Sequence, residues 1–392
     1  LYARRSAAYG KMNGYVEEMF SGQKTILAYA YEEDVCQDFS AINHEAADAY
    51  RDADALGMIT GPTINMINNL GLSLIGMVGA ALYLLGGVGM EQISSFVLYS
   101  RKFCGPINEI ANIINEIYSA LAAAERVFTL LDQAEELADA PDAEVLTQVE
   151  GDVEARHVSF GYMPGKTVLH DLNLKAQPGQ TIAIVGHTGA GKTTLINLLM
   201  RFYDVEDGGV FVDGRDVRTY EKDELHRKFG VVFQNDMVFF NTLRENIRFG
   251  RNLDDTALTR AVEDAVAAEY IDSLEEGLDY RADIKGANLS GGQRQRLLIS
   301  RALAGNPEIL ILDDSSSALD YKTDAALRKA IFEHHRDSTT IMVAQRVSSI
   351  QSMTHILVMD NGRCIGYGTH QELLKTCPAY LEIYQTQMGA LA

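Results

Sequence analysis

The stretch Thr181-Ile-Ala-Ile-Val-Gly-His-Thr-Gly-Ala-Gly-Lys-Thr-Thr194 decides the fold of the larger part of this chain. Its first five residues form a short apolar run typical of a buried strand, and the apolar run from Leu195 to Met200 is typical of a helix. The glycine-rich segment between them has the spacing G-x-x-x-x-G-K-T. This order of strand, loop and helix predicts a phosphate-binding loop in an α/β domain.

The residue types in the loop explain why it would hold a phosphate. Glycines let the backbone wrap closely around an anion with successive amides pointing inward, and the next helix adds its positive amino-terminal end. Lys192 is placed for the β- and γ-phosphates and Thr193 for Mg²⁺. The predicted nucleotide-binding residues of the loop are Gly186, His187, Thr188, Gly189, Ala190, Gly191, Lys192, Thr193 and Thr194.

A second feature is the run Ile309-Leu-Ile-Leu312, which ends in Asp313 and Asp314. Ligands of open α/β sheets bind at the carboxyl ends of the strands, so both carboxylates are expected at the ligand edge. Asp313 suits a Mg²⁺ ligand, and Asp314 is expected beside the attacking water. Without the phosphate loop, the same pattern would indicate only the end of a strand.

The third feature is Leu289-Ser-Gly-Gly-Gln293, which opens a predicted helix from Arg294 to Ala304. Ser290 is a good N-cap residue, and the two glycines leave the helix amides bare, which makes a second anion site. The alternative is a capped helix with a purely structural role. Two phosphate-binding helix ends in one domain suggest that two such domains share each nucleotide.

The first third of the chain has a different character. Residues from Tyr2 to about Asp54 are helical in pattern and mixed in charge, whereas Ala55 to Met90 contains no charged residue and no histidine. About 20 such residues at 1.5 Å rise cross a hydrocarbon layer of ~30 Å. We expect a membrane-spanning helix here; a buried helix of a soluble protein is the alternative.

Gly86-Gly87-Val88-Gly89 is expected to break that helix before a second one, from about Gln92 to Leu131. Charges interrupt the second helix, and those in lipid are costly unless they face protein or water. Arg101 and Lys102 therefore either line a cavity or are satisfied inside a helix bundle. The pattern does not distinguish these two roles.

These patterns divide the chain into a partial all-α transmembrane domain at 1–132, a linker at 133–149 and an α/β nucleotide-binding domain at 150–392. We expect the last of these to include an antiparallel β-subdomain and a helical subdomain that carries Leu289–Gln293. His355-Ile-Leu-Val-Met-Asp360, the Asn361-Gly362 turn and the strand that follows predict a hairpin. The chain begins at Leu1 in the middle of a helical pattern, which suggests that it lacks an amino-terminal part.

Composition narrows the possible partners. The net charge is −20, which argues against a nucleic-acid-binding surface, because phosphates require basic side chains. The cysteines at 36, 104, 364 and 377 show neither C-x-x-C pairing nor metal-ligand spacing, so we expect reduced thiols.

In combination the motifs resemble the ATP-binding-cassette (ABC) exporter half-transporters over nearly the whole chain. Tyr162 matches the aromatic residue that stacks on adenine, and Gln234 matches the glutamine that contacts Mg²⁺ and senses the membrane domain. Leu289–Gln293 matches the signature, in which Ser290, Gly291, Gly292 and Gln293 would bind the partner's ATP, and Ser317-Ala-Leu-Asp320 matches the D-loop with Asp320.

The resemblance also covers the amino-terminal part. Residues 120–131 resemble the end of the last membrane helix, and residues 21–39 resemble the end of the fourth helix and the coupling helix after it. By this comparison the chain holds the last two of six membrane helices, and the segment around Tyr31 to Asp38 transmits motion to the partner. The implied setting is the cytoplasmic membrane, with lipid, a transported small molecule and a second half-transporter as partners and ATP with Mg²⁺ as ligands.

Two residues depart from the family pattern. Asp314 stands where Glu is usual, and Gln345 stands where the switch loop usually has His. Asp is shorter by one carbon–carbon bond, ~1.5 Å, and Gln cannot carry a proton or a positive charge. The pairing resembles the degenerate subunit of heterodimeric bacterial multidrug exporters, so we expect a weakly hydrolytic site whose partner carries Glu and His.

Other interpretations stay open at this point. They are a homodimeric lipid or peptide exporter, a catalytically silent regulatory subunit, and a soluble cassette ATPase of DNA repair or translation. The uncharged run from Ala55 to Met90 argues against the soluble ATPase.

Overall fold

A computed structural model describes residues 2–133, 138–315, 318–344 and 349–389. The described chain divides into two compact units, with the boundary between positions 135 and 136. The boundary falls within the predicted linker at 133–149.

The first unit is helical. Its helices are α1 (Tyr2–Ser21), α2 (Gln23–Ala28), α3 (Glu32–Leu84) and α4 (Met90–Leu131). Helix α3 has 53 residues and passes without a break from the charged stretch into the uncharged one. The predicted break at residues 86–89 is confirmed, because α3 ends and α4 begins on either side of it.

Helices α1 and α3 lie antiparallel. Lys11 Nζ is 2.7 Å from Glu45 Oε2, and Arg5 Nη1 is 3.2 Å from Asp54 Oδ1. Nearer the turn between the helices, the Tyr15 hydroxyl donates to the carbonyl of Val35 at 3.2 Å. The charged stretch of α3 therefore has a packed partner.

The uncharged stretch of α3 is not buried between Gly61 and Leu84, where its side chains are exposed or half-buried. Among the described residues, Gly61–Leu84 is the one helical segment that is long and apolar enough to cross a bilayer, judged by length and composition. Its apolar side chains include Leu74 and Met77, which are 57% and 63% exposed. Large apolar patches of this kind mark a surface that lipid or another protein covers. Membrane crossing by α4, where Arg101 and Lys102 are exposed, stays a prediction.

The second unit contains ten strands and nine helices among its described residues. The strands are β1 (Val153–Phe160), β2 (Leu169–Ala176), β3 (Thr181–Gly186), β4 (Asp207–Val212), β5 (Arg215–Asp216), β6 (Phe229–Val232), β7 (Ile309–Asp313), β8 (Thr339–Val343), β9 (His355–Asp360) and β10 (Arg363–Gly368). The helices are α5 (Lys192–Leu199), α6 (Lys222–Arg227), α7 (Leu243–Arg248), α8 (Asp255–Asp264), α9 (Ala268–Asp272), α10 (Gly291–Leu303), α11 (Tyr321–His334), α12 (His370–Thr376) and α13 (Pro378–Gly389).

The central sheet has the strand order β10-β9-β3-β8-β7-β6 in the described part of the chain. Strands β9, β3, β8, β7 and β6 are parallel, and β10 returns antiparallel along β9. The predicted hairpin is confirmed: Asn361 and Gly362 both have positive φ, as a two-residue turn requires. Side chains of β3 alternate between two hydrophobic clusters, with Ile182 and Ile184 on one face and Ala183 and Val185 on the other.

A smaller antiparallel sheet and a helical segment complete the unit. The small sheet has the order β2-β1-β4-β5 among the described residues. Helices α7 to α10 lie between β6 and β7 in the chain, and their buried side chains belong to one hydrophobic cluster. The predicted α/β domain with an antiparallel β-subdomain and a helical subdomain is therefore confirmed.

Candidate nucleotide-binding site

The phosphate loop connects the carboxyl end of β3 to the first turn of α5. At Gly186 a Cβ atom would lie 2.2 Å from the carbonyl oxygen of Met359, so a side chain does not fit. Gly191, the N-cap of α5, has a φ of 97°, and its Cβ would lie 2.6 Å from Leu169 Cδ2. Between them, residues 187–189 are exposed, which leaves the loop open to a ligand. The predicted strand, loop and helix are confirmed.

Lys192 folds back over this loop. Its Nζ donates hydrogen bonds to the carbonyls of Gly186 at 2.9 Å and His187 at 2.8 Å. Burial lowers the pKa of Lys192, while the nearby charges of Asp313 and Asp314 act in the opposite direction. A half-buried ammonium that donates to two neutral carbonyls can exchange them for phosphate oxygens, because hydrogen bonds between charged groups are stronger.

Thr193 and Asp313 meet beside the loop. The Thr193 hydroxyl donates to Asp313 Oδ2 at 3.0 Å, although the two residues are 120 positions apart in the chain. Burial raises the pKa of the Asp313 carboxyl, opposed by this hydrogen bond and by Lys192. The carboxylate is 2% exposed, so it is held in place with one oxygen toward the hydroxyl.

This donor pair fits a Mg²⁺ ion bound together with a nucleotide. Hydroxyl and carboxylate oxygens are hard ligands, which Mg²⁺ prefers, and Mg²⁺ commonly uses one or two protein carboxylates with phosphate and water oxygens. Among the described residues, no group of three or more His, Cys, Asp or Glu is arranged for a metal ion. The site therefore suits a metal that the nucleotide itself helps to hold.

Asp314 follows immediately in an unusual backbone conformation. Its φ is 51°, in the left-handed region, and its amide donates to the carbonyl of Val343 at 3.2 Å. Asp occupies this region more readily than most residues. The half-buried carboxylate lies close enough to Lys192 to act on its pKa. The predicted proximity of Asp314 to the phosphate loop is thus observed, and its catalytic role stays a prediction.

Gln234 lies at the same edge of the sheet. It follows β6, which pairs with β7 in register from Phe229–Ile309 to Val232–Leu312, so it stands level with the end of β7. Its side chain is exposed. Gln345 lies outside the described residues, as does Ser317 of the predicted D-loop. The described strand β8 ends two residues before Gln345.

The signature serine caps its helix. Ser290 Oγ accepts a hydrogen bond from the amide of Gln293 at 3.2 Å, and Gln293 Oε1 accepts one from the amide of Ser290 at 2.9 Å. This capping box fixes the start of α10, as predicted from the residue types. Gly291 and Gly292 lie against Ala318, because their added Cβ atoms would lie 3.8 Å from its Cβ and 3.4 Å from its carbonyl oxygen.

Asp320 is the N-cap of α11. Its Oδ1 accepts from the amides of Lys322 at 3.0 Å and Thr323 at 2.9 Å, and the Thr323 hydroxyl donates to Oδ2 at 2.7 Å. These hydrogen bonds, the one from the Thr323 amide foremost, lower the pKa of Asp320. Asp320, predicted as a D-loop residue, therefore also caps α11.

Tyr162 is held over the first turns of α5. Its hydroxyl donates to Thr194 Oγ1 at 3.2 Å and accepts from Asn197 Nδ2 at 3.3 Å. The ring meets Phe160 and Tyr203 edge to face, each with centroids 5.1 Å apart. Because Tyr162 is 47% exposed, part of its ring is open to stack on a base.

The contacts of Tyr162 with Asn197 and Tyr203 were not predicted from the sequence. Asn197 is the one strongly polar side chain in the apolar run from Leu195 to Met200, which was the available signal. It lies three positions after Thr194 and therefore on the same face of α5. Tyr203 gave no signal, because an aromatic residue after a helix is common in hydrophobic cores.

Comparison with known proteins agrees with this geometry. The family described as "ABC transporter" matches residues 169–317, and the "ABC transporter transmembrane region" matches residues 1–107. The chain is 36% identical to the "Uncharacterized ABC transporter ATP-binding protein YfiC" of Bacillus subtilis over 99% of its own length and 64% of that protein. It is 32% identical to an "ATP-dependent lipid A-core flippase" of Idiomarina loihiensis over 100% of this chain and 67% of that protein.

The fold also matches a solved structure. The "Structure of a bacterial Atm1-family ABC exporter with ATP bound" superposes with a TM-score of 0.89 at 28% identity, covering 98% of this chain and 68% of that one. The chain thus spans less than two thirds of the Bacillus relative and about two thirds of the other two proteins. The chain therefore belongs to the ABC transporter family, as a membrane protein that joins a transmembrane region to a cytoplasmic ATP-binding domain with the fold of an ABC exporter.

Proposed function

We propose that this chain is one half of an ATP-driven exporter for small or amphiphilic molecules, and that its own ATP site hydrolyses slowly. Its partner would be a second half-transporter with Glu and His at the positions of Asp314 and Gln345. The exported class is supported by the flippase relative and by the exposed apolar side chains of Gly61–Leu84. One observation supports the slow site: the Thr193 hydroxyl donates to Asp313, and the next residue is Asp314, where the family usually has the longer Glu.

In this proposal the phosphate loop binds ATP through its backbone amides. Lys192 exchanges the carbonyls of Gly186 and His187 for phosphate oxygens, and Tyr162 stacks on the adenine. Thr193, Asp313 and Gln234 would hold Mg²⁺, which when bound neutralises charge on the phosphates. Ser290, Gly291, Gly292 and Gln293 would contact the ATP held by the partner.

Hydrolysis at this site would be slow because Asp314 is short and Gln345 is uncharged. The Asp314 carboxylate falls short of a Glu carboxylate by ~1.5 Å, one carbon–carbon bond. A misplacement of ~1 Å costs on the order of 100-fold in rate. At position 345 a glutamine side chain could donate a hydrogen bond, but it supplies neither a proton nor a positive charge. Both changes leave the binding residues intact.

ATP closure of two such domains would move the membrane helices between inward-open and outward-open states. ATP drives such a change only through its higher affinity for the closed state. The short helix α2, with a turn at either end, is the separate segment best suited to transmit the motion. We therefore propose Gln23–Ala28 as the transmitting segment in place of Tyr31–Asp38, because the latter contains the N-cap and first turns of the long helix α3.

The test restores the two residues in the assembled transporter. Asp314→Glu with Gln345→His should create a second hydrolytic site and raise the amount of ATP cleaved in a single turnover, provided the partner's signature is competent. Asp360→Glu, at the end of strand β9 of the same sheet, makes the same one-carbon extension and should leave the amount of ATP cleaved unchanged.

Two results would contradict the proposal. One is rapid hydrolysis at this chain's site in the unmodified transporter. The other is a purified transporter that contains only copies of this chain, which would make it a homodimer.

A further inference from the structure

A cavity of about 650 Å³ lies at the opposite edge of the central sheet from the phosphate loop. Its lining includes Thr181 at the start of β3 and Thr340 near the start of β8. Helix α11 forms one side of the cavity. None of its described lining residues belongs to the phosphate loop at 186–194, to the pair Asp313 and Asp314, or to α10. The cavity therefore belongs to neither the nucleotide site nor the signature helix.

Part of the lining is apolar. Phe332 lines the cavity and is 62% exposed, which is unusual for a Phe on a helix that packs against a sheet. The buried Ile331 and Met342 and the half-buried Met353 extend the apolar surface. Cavities of ~300–1,000 Å³ with mainly apolar walls and a few polar groups are typical of small-molecule sites.

The charged part of the lining has one sign. Arg328, Lys329 and Arg336 line the cavity, whereas no Asp or Glu is among its described lining residues. This is notable in a chain that carries 54 acidic and 34 basic residues. Acidic partners lie outside the lining: Arg328 pairs with Asp324 at 3.0 Å, and the exposed Lys329 is 3.9 Å from Glu333. Exposed ion pairs such as Lys329–Glu333 contribute little to stability.

Two buried polar atoms at this wall lack a hydrogen-bond partner in the described structure. They are Arg328 Nε and His335 Nδ1. The His335 side chain is 3% exposed, and its other ring nitrogen, Nε2, is 3.0 Å from Asp264 Oδ2. Buried polar atoms in folded proteins are nearly always paired, so two unpaired nitrogens on residues that line one cavity are an exception.

We propose that this cavity binds a small amphiphilic anion, an aromatic or alkyl body that carries a carboxylate, sulfonate or phosphate monoester. The apolar body would lie against Phe332 and Met353, and the anionic head would face Arg328 and Arg336. The Arg336 guanidinium already stands over the Phe332 ring at 5.8 Å, so the apolar and cationic parts adjoin.

The choice of variants follows from the contacts of Arg328. Its Nη1 donates to the carbonyl of Ser349 at 3.3 Å, and Asp324 accepts from both Arg328 and the Ser349 hydroxyl. Replacing Arg328 would therefore disturb folding. Ala325 and Ala326 offer a matched pair instead, because both are exposed on α11 but only Ala325 lines the cavity.

The test uses the full transporter in lipid nanodiscs, with 4-(trifluoromethyl)benzenesulfonate as the probe and fluorine NMR line broadening as the readout. Empty nanodiscs give the lipid background, and the neutral sulfonamide of the same ring tests the need for charge. Ala325→Phe should fill the cavity and weaken probe binding by about tenfold or more, a loss of ~1.4 kcal/mol. Ala326→Phe should leave it unchanged.

A second pair of double variants tests the charges, with test and control each losing two positive charges. Lys329→Gln with Arg336→Gln should weaken binding by about tenfold, whereas the exposed Lys375→Gln with Arg363→Gln should not. The proposal is overturned if the wild type shows no saturable binding of the sulfonate. Equal probe binding by Ala325→Phe and Ala326→Phe would overturn it as well. So would binding of the neutral sulfonamide as tight as that of the sulfonate.

Discussion

The hydroxyl of Tyr162 connects two parts of the nucleotide site at the scale of single residues. It bonds Thr194 in the first turn of α5 and Asn197 one turn later, while the ring remains partly open. The hydroxyl therefore orients the ring, and the ring would supply the stacking energy. Two substitutions separate these contributions.

Tyr162→Phe should weaken ATP binding by about 2- to 10-fold, because it removes neutral hydrogen bonds and keeps the ring. Tyr162→Ala should weaken it further, by ~1–3 kcal/mol, the usual value of an aromatic stack on a base. Competition binding measures both, with inorganic tripolyphosphate as the control ligand that lacks a base. Parallel loss of tripolyphosphate binding would show that Tyr162 shapes the phosphate loop and does not recognise the base.

Asp313→Asn should separate stability from metal binding. The raised pKa of Asp313 means that its ionised form is disfavoured by folding, so its favourable contribution exists below the ordinary pKa and is lost as pH rises through the folded value. At neutral pH, Asn should therefore raise the melting temperature of the nucleotide-free protein, by about 2 °C for ~1 kcal/mol. The further rise caused by Mg²⁺ and ATP should disappear.

Thermal unfolding with and without Mg²⁺ and ATP measures both effects. Thr193→Ser, which keeps the hydroxyl at the same site, is the control and should retain the ligand-induced rise. A fall in the melting temperature of the nucleotide-free Asp313→Asn protein would contradict the account.

The residue pairs at the site were predictable to different degrees. The meeting of Thr193 and Asp313 followed from sequence, because a motif and a strand end are both tied to one sheet edge. The contact of Asn197 with Tyr162 did not follow, since it depends on how the small antiparallel sheet packs over α5. The capping role of Asp320 was not predicted, because the D-loop motif implies a different role for it, although Asp is a common N-cap residue.

At the scale of elements, one buried carboxylate joins α8 to the end of α11. Asp264 ends α8, and its two oxygens contact His334 Nδ1 at 2.5 Å and His335 Nε2 at 3.0 Å, with Arg260 3.9 Å away. Burial lowers the pKa of His335, and the hydrogen bond with Asp264 opposes this only in part. The folded protein therefore favours the neutral imidazole.

Acidification should weaken the contact between α8 and the end of α11 that Asp264 makes. A lowered His pKa contributes stability above the ordinary value of 6.5, and that stability is lost as pH falls below it, because the unfolded chain takes up the proton first. The melting temperature should fall from pH 7 to pH 5.5, and His335→Gln should reduce the slope. His157→Gln, at an exposed His–Asp pair, is the control. Identical slopes for His335→Gln and the wild type would contradict this role.

Of all the elements, α2 and α3 had the least well predicted bounds. A change from charged to apolar side chains alters the environment of a helix without ending it, so α3 continues from Glu32 to Leu84. Gly86, with a φ of 70°, does end it, in agreement with the sequence. The breaks around α2 fall at Gly22 and at Ala30, which has a φ of 51°, and alanine gives no such signal in sequence.

At the scale of the whole molecule, the account requires a second chain. By the proposal, the phosphate loop and the signature helix of this chain each bind a different nucleotide. The pair would then contain one weak and one strong hydrolytic site. This asymmetry rests on Asp314 and Gln345, and the latter lies outside the described residues.

The nucleotide retained after one round of hydrolysis tests the central claim most directly. The assembled transporter is loaded with labelled ATP and Mg²⁺, freed of unbound nucleotide and stopped at successive times. The account predicts that about half of the bound nucleotide becomes ADP quickly while the rest stays ATP, and that Lys192→Ala removes the ATP that persists. Conversion of all bound nucleotide to ADP at a single fast rate would contradict it.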